Sequence, residues 1–408
     1  MIIGGGLVGI LCAYFLDQAG IDYLLCEAAT IASGTTGKTT AVLSAQHDTL
    51  YSDLISRWGH EKAQQYLDAN LDALKEYRSL AEKIDCDYEE RPSYMYTVDK
   101  PRLMEHEVEA LQSLGFSASV VKELPLPIKI AAAVKFPGQA QFHPLKFIGG
   151  ICNNLNIREH SRIVRMKGTD AFTEKYRISA KRIIVASHFP ILNTHGFYYA
   201  KLYQKRSYII ALENAPQYDG TFVDNGTSGM YFRNYGNLLL VGGGEHRTGK
   251  KGGNFEALRT FIRANYPGAK EKYAWATQDC MSLDGVPYIG KYSELLPDVY
   301  VATGFNEWGM TSSMVAAKIL CDMIMKRENK YADVFNPSRS VLTPQLFANL
   351  GESILNLLKP VPKRCPHLGC ALSWNEVEQT WDCPCHGSRF TKDGKLINDP
   401  ATGDLREK

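Results

Sequence analysis

The sequence predicts an α/β protein in three parts: an open domain built on a parallel sheet, an α+β domain interleaved with it, and a small all-β module at the carboxyl end. Three observations carry that reading. A glycine-rich turn, Gly4-Gly5-Gly6-Leu7-Val8-Gly9, joins an apolar strand end to an amphipathic helix. Helical and strand-rich stretches then alternate along 408 residues, a length that suits two or three domains. Two boxes crowded with cysteine and histidine, at 365–370 and 383–388, frame a predicted hairpin at 371–381.

Met1-Ile2-Ile3 reads as a strand end, and Gly4, Gly6 and Gly9 complete G-x-G-x-x-G at the mouth of a helix from Leu7 to Gln18. Tyr23-Leu24-Leu25-Cys26 reads as a second strand ending in Glu27, eighteen residues after Gly9. The glycines allow a tight turn and close approach of a pyrophosphate to the helix N-terminus, and the acid accepts hydrogen bonds from a ribose. Val8 lies in the same turn. Glycines alone are a weak signal; strand, turn, helix, strand and acid in register predict a Rossmann-like dinucleotide site. The turn begins at residue 4, so either an upstream segment is lost or the sequence starts late.

Three later segments favour FAD over NAD. Ser33-Gly34-Thr35-Thr36-Gly37-Lys38-Thr39-Thr40 is rich in hydroxyls, so Thr35, Thr36, Thr39 and Thr40 can donate to phosphate and flavin atoms. Arg182-Ile183-Ile184-Val185 reads as a buried strand ending in Ala186 and Ser187, where backbone can approach a cofactor; Val164 is expected to contact it too. Another strand ends at Gly304, and Gly309-Met310-Thr311 opens an apolar helix to about Met325. A helix N-terminus there can stabilise negative charge on a reduced flavin ring.

With Asp284-Gly285-Val286-Pro287-Tyr288-Ile289-Gly290, these motifs resemble the D-amino-acid oxidase and glycine oxidase family of FAD-dependent oxidoreductases over about residues 1–330. The resemblance implies an FAD domain interleaved with a substrate domain, and two-electron oxidation at a carbon–nitrogen bond in many members. The expected FAD-binding segments are about 1–50, 144–200 and 276–330, with the substrate domain at 51–143 and 201–275. A helix is expected over 61–84, and short strands over 208–212, 230–232 and 238–241. A linker and amphipathic helix fill 331–360.

Candidate pocket residues are Gln46 and His47 after the threonine loop, and Tyr231, Arg233, His246 and Arg247 on or beside the substrate sheet. Arg233 or Arg247 could clamp a substrate carboxylate; the plain alternative is that such residues simply decorate strand ends. Trp308 is a candidate wall. Cys280 lies where some relatives attach flavin covalently, but its spacing to Asp284 and Pro287 favours an inert buried thiol.

The last fifty residues offer a metal cage. Cysteine and histidine at these spacings suit zinc, but the first box also carries Leu368-Gly369 and the second Pro384 and Gly387-Ser388, which a zinc module does not need. The pattern resembles the Rieske [2Fe–2S] signature, in which two cysteines hold one iron and two histidines the other. The resemblance implies Cys365, His367, Cys383 and His386 as ligands and a Cys370–Cys385 disulfide tying the loops. High-potential Rieske proteins carry a tyrosine where this chain has Phe390, so a lower potential is expected. The module, 361–408, is about half an ordinary Rieske domain.

A net charge of +2 argues against a dedicated nucleic-acid binder, and no apolar run has the length of a membrane span. Six further cysteines lie scattered, as in a cytoplasmic protein with reduced thiols. The expected function is an FAD-dependent oxidoreductase that oxidises a small amine or amino acid. Its electrons then pass through the cluster to a soluble acceptor protein; the same partner could be a donor if flow reverses. The alternatives are a flavo-iron-sulfur carrier or redox sensor without a small-molecule substrate, and an oxygen-using oxidase whose cluster is structural.

Overall fold

The computed structural model describes residues 1–192, 195–226, 229–340 and 342–405. Its first sheet has six strands in the order Tyr288–Ser293, Leu296–Thr303, Ile183–Val185, Ile2–Ile3, Leu25–Cys26 and Ile157–Arg158. Ile2–Ile3 pairs in parallel with Ile183–Val185 and with Leu25–Cys26, so the glycine turn leaves the carboxyl end of a central strand. The helices Leu7–Gln18 and Gly309–Ile324 pack on each other, with Cys321 Sγ 3.6 Å from the Cys12 carbonyl. Both are buried along most of their length, which accounts for their near-continuous apolar sequence.

The interleaved domain is an eight-stranded sheet. Its order is Lys270–Met281, Tyr203–Glu213, Leu238–Arg247, Tyr231–Tyr235, Thr221–Asp224, Ser93–Thr97, Ala132–Phe136 and Ser119–Val121. The expected strand 208–212 lies within Tyr203–Glu213, 238–241 opens Leu238–Arg247, and 230–232 overlaps the start of Tyr231–Tyr235: sheet pairing extends each beyond the apolar run that the sequence marks. Lys270–Met281 crosses the expected boundary at 276 and belongs to this second sheet. The long helix falls at His60–Ala81.

The carboxyl module is a four-stranded antiparallel meander: Ser373–Asn375, Thr380–Asp382, Arg389–Thr391 and Leu396–Asn398. Its core is small: Leu372, Phe390, Ala401 and the four box cysteines. The rest of the chain supports it. Arg206 and Arg389 both ion-pair with Glu378, and Arg389 also holds Asp382 at 3.0 Å.

Candidate active site and metal centre

A large cleft opens at the carboxyl end of the first sheet. Its walls bring together Gly4, Gly6, Val8, Glu27, Thr35, Thr36, Thr39, Ala186, Ser187, Gly309 and Met310, all residues expected to touch the cofactor. The cradle is built for close approach. A Cβ on Gly9 would stand 1.9 Å from the Gly4 carbonyl, and one on Gly4 (φ +107°) 2.4 Å from the Ala186 carbonyl. Glu27 is locked by the Gly5 and Ala29 amides, each 2.7 Å from a carboxylate oxygen. These features fit a dinucleotide: a glycine floor, a helix N-terminus and a fixed acid.

Other expected contacts play different parts. Gly9 lies under the turn, and Thr311 donates to the Ser44 carbonyl at 2.9 Å. Gly304 turns the chain at φ +73° against Leu202 and Ser282. Val164 donates its amide to Phe172 in a small neighbouring sheet, and Ile163 takes the place on the cleft wall. Thr40 faces a second cavity.

That second cavity lies beside the eight-stranded sheet and shares Thr35, Thr39, Asp279, Glu307 and Met310 with the cleft. Tyr231, Arg233 and Trp308 line it. Arg233 is 4% exposed; one guanidinium nitrogen donates to the Ala41 carbonyl at 2.9 Å, and its Nε has no partner. Burial pushes it down to about 10. Thr221 and Thr277, also on the wall, keep buried hydroxyls without partners.

The charged lining was not legible in sequence. Asp48, Glu245, Asp279 and Glu307 share the cavity with Lys205, and Lys205 pairs with Glu245 at 3.3 Å. Burial and Glu245 push the Asp279 carboxyl up to about 7, and the same two causes raise Glu307. Lys100 and Asp224 complete the set. Asn306 and Glu307 both have left-handed backbone, φ 53° and 71°, which sets Glu307 on the shared wall.

Four expected catalytic residues stand elsewhere. His47 is 2% exposed, with Nδ1 2.6 Å from the Tyr66 hydroxyl and Nε2 3.0 Å from both the Ser44 carbonyl and the Thr311 hydroxyl. Burial pushes it down to about 3, so it is a neutral packing residue beneath Trp308. Gln46 is buried beside it and lines neither cavity. His246 stacks on Tyr208. Arg247 sits at its strand's end, past the cavity, where it donates to the carbonyls of Pro384 (2.9 Å) and Cys385 (3.2 Å). Cys280 is a buried thiol, raised to about 12 by burial.

The two boxes form twin turns: the Gly369 amide bonds the Cys365 carbonyl, and the Gly387 amide the Cys383 carbonyl, each at 2.9 Å. The turns bring His367 Nδ1 and His386 Nδ1 to 3.3 Å, with rings 4.8 Å apart and nearly perpendicular. Burial, then the neighbouring His386, push His367 down to about 3, so it is a neutral imidazole. Cys365 and Cys383 lie within hydrogen-bonding reach of each other and are at most 2% exposed. Two thiols and two converging imidazoles are the donor set of a Rieske centre, so the residues fit the cluster. Cys370 and Cys385 are free thiols here, not the expected disulfide; their sulfurs and that of Cys383 all lie within 4.8 Å of one another, because the twin turns pack face to face.

The loops of the two boxes dock on the dinucleotide cleft. Gln204, on the cleft wall, donates its side-chain amide to the His386 carbonyl at 2.7 Å. Gln278 donates to Gln204 at 2.6 Å and to the Gly387 carbonyl at 2.9 Å. Phe189, just past Ser187 and His188 of the cleft wall, packs edge-on against both histidine rings, with centroids 6.2 and 6.0 Å away. The module also supplies Ile397, Asn398, Asp399 and Thr402 to the cleft wall, and Asp399 pairs with Arg162, also in the lining, at 3.0 Å.

The FAD-dependent oxidoreductase family matches residues 1–323, about four-fifths of the chain. The chain belongs to that family. Residues 356–407 match the Rieske [2Fe–2S] domain, so this oxidoreductase carries FAD and a [2Fe–2S] cluster. It is 33% identical to the YhfW protein of Bacillus subtilis (strain 168), whose name places it with Rieske 2Fe-2S iron-sulfur proteins; the match covers 100% of this chain and 92% of that one. The cluster module alone is 51% identical over 42 residues to cytochrome b6-f complex iron-sulfur subunit 3 of Nostoc sp., or 10% of this chain and 24% of that one. The fold is that of glycine oxidase from Geobacillus kaustophilus (TM-score 0.70, 17% identity, 83% of this chain and 98% of that one). It is also that of L-proline dehydrogenase from P. horikoshii (TM-score 0.69, 15% identity, 83% and 96%). Among the described residues, no helix is long and apolar enough to cross a membrane.

Proposed function

We propose that this oxidoreductase oxidises a carbon–nitrogen bond of a small amine or amino-acid-like substrate and passes the electrons singly, through its cluster, to an external one-electron acceptor. The observation that carries the reading is the docking of the cluster loops on the flavin cleft. Gln204 spans cleft wall and ligand loop, and Phe189 fills the space beside both histidines. FAD supplies two-electron chemistry and the cluster one-electron chemistry.

The chain's own residues do the rest. The glycine turn, Glu27 and the threonine loop would hold FAD; Cys365, His367, Cys383 and His386 would hold the cluster, with Cys370 and Cys385 as the pair able to close a disulfide. Asp279 and Glu307 lie on the wall shared by cleft and cavity, and on this reading they would face the substrate ammonium. An amine must shed a proton before its carbon–nitrogen bond is oxidised, and a carboxylate near neutrality is suited to take it. Arg233, with a spare buried donor, suits a substrate carboxylate.

The test is anaerobic. Purified holoprotein is mixed with a panel of amines and amino acids while flavin absorbance is followed. Bleaching by a member of the panel supports the reading. If none bleaches the flavin and a reduced ferredoxin-type protein does, the protein is an electron carrier.

A further inference from the structure

The helix Pro344–Leu358 is inside out. A helix on a protein surface normally buries its apolar stripe and shows its polar face to water. Here Asn349 and Asn356 face inward, at 2% and 1% exposure, while Phe347, Ile354, Leu355 and Leu358 are 66%, 57%, 62% and 76% exposed. The inward face is well bonded. Asn349 accepts from Arg247 at 2.8 Å and donates to the Ala200 carbonyl at 3.1 Å, and Glu352 pairs with Lys250 at 2.6 Å. The polar side is therefore the docked side, and turning the helix over would break these bonds.

The apolar side continues onto the cluster module. Leu357 lies 3.8 Å from where a Cβ on Gly369 would be, and the Ala371 amide bonds the Asn356 carbonyl at 2.9 Å. Leu368, at the tip of the first ligand loop beside His367, is 39% exposed. An apolar patch of this kind marks an interaction site.

The chemistry around the patch selects the occupant. Between 342 and 372 the one carboxylate is Glu352, already ion-paired, while Lys359, Lys363 and Arg364 follow the helix directly. The exposed strip is leucine, isoleucine and phenylalanine, without the tyrosine, tryptophan and arginine that anchor protein–protein contacts. An apolar strip with basic residues at its end is the pattern of a helix lying in the plane of an anionic membrane surface.

We infer that Pro344–Leu358 is a membrane-surface anchor: it lays its outward apolar face into an anionic lipid surface and brings the ligand loop of His367 to that surface. On the electron route proposed above, the acceptor would then be met at the lipid boundary. The binding itself does not rest on that route and is read without turnover.

The test is flotation of full-length holoprotein with vesicles of phosphatidylcholine alone or with phosphatidylglycerol added. The expected result is co-flotation with the anionic vesicles. The double variant Phe347→Asp/Leu355→Asp should lower the bound fraction at least tenfold, and Lys363→Glu severalfold, with flavin absorbance and cluster EPR unchanged in both. No flotation of the wild type would overturn the proposal, as would flotation that the variants leave intact. A dimer in light scattering that the double variant splits would overturn it in favour of a second copy of this chain on the same face.

Discussion

Gln204 Nε2 donates to the main-chain carbonyl of His386 at 2.7 Å, joining a residue of the cleft wall to an expected ligand of the cluster. Gly387, next in the loop, has φ +84°, and a Cβ there would stand 2.7 Å from the Gln204 side chain. The approach therefore depends on both residues. Gln204→Leu removes the bond while keeping bulk. A bond of this kind contributes about 1 kcal/mol, so electron arrival at the cluster should slow roughly fivefold while flavin reduction by substrate keeps its rate. Rapid mixing with absorbance at flavin and cluster wavelengths separates the two steps.

Arg162 and Asp399 form an ion pair in the lining of the flavin cleft, one residue preceding the cluster module in the chain and the other within it. Their ion pair is partly exposed, with side chains 33% and 28% accessible, so its contribution is modest, about 1 kcal/mol. Arg162→Ala should release FAD roughly fivefold faster, read as the growth of free-flavin fluorescence after dilution. Restoring the pair in reverse, Arg162→Asp with Asp399→Arg, should recover part of the loss.

Burial and Glu245 push the Asp279 carboxyl up to about 7. Below that pH the group is protonated and cannot pair with an ammonium; above it the group is charged and can. Affinity for a cationic amine should therefore rise as pH climbs through about 7, until the amine itself loses its charge. Asp279→Asn should flatten this rise. Binding followed by flavin spectral perturbation, from about pH 5.5 to about pH 8.5, would check it, and an unchanged slope would exclude Asp279 as the partner.

Phe390 is fully buried in the module's core and pairs with Trp381 in the adjacent strand. Ser388 keeps its hydroxyl beside Cys365 and accepts from the Ala401 amide at 3.0 Å. Phe390→Tyr places a donor near the cluster sulfurs, which favours the reduced, more negative state. The midpoint should rise on the order of tens of millivolts. Potentiometry on the two proteins decides, and equal midpoints would contradict the expectation.

The glycine turn and the ligand boxes were legible because each is local: a few consecutive residues carry both the bend and the chemistry. The twin turns at Cys365 and Cys383 are closed by bonds within each box, so spacing alone announced them. The substrate cavity was not legible. Asp48, Lys205, Glu245, Asp279 and Glu307 come from five separate segments, and only sheet register brings them together; Lys205 and Asp279, for example, are direct partners across two strands. The same lack of register hides the true places of Arg247 and His47. Arg247 looks like a pocket arginine in sequence, but its strand runs past the cavity to the cluster loops.

Flavin and cluster must exchange electrons within one molecule if the proposed route is right. The direct measurement is an anaerobic titration with a reducing substrate, followed by absorbance and, on frozen samples, by EPR. As the flavin bleaches, the signal of the reduced Rieske cluster should grow with it, and His386→Ala should abolish that signal while substrate still bleaches the flavin. A flavin that bleaches fully while the cluster of the wild-type protein stays oxidised would contradict the route.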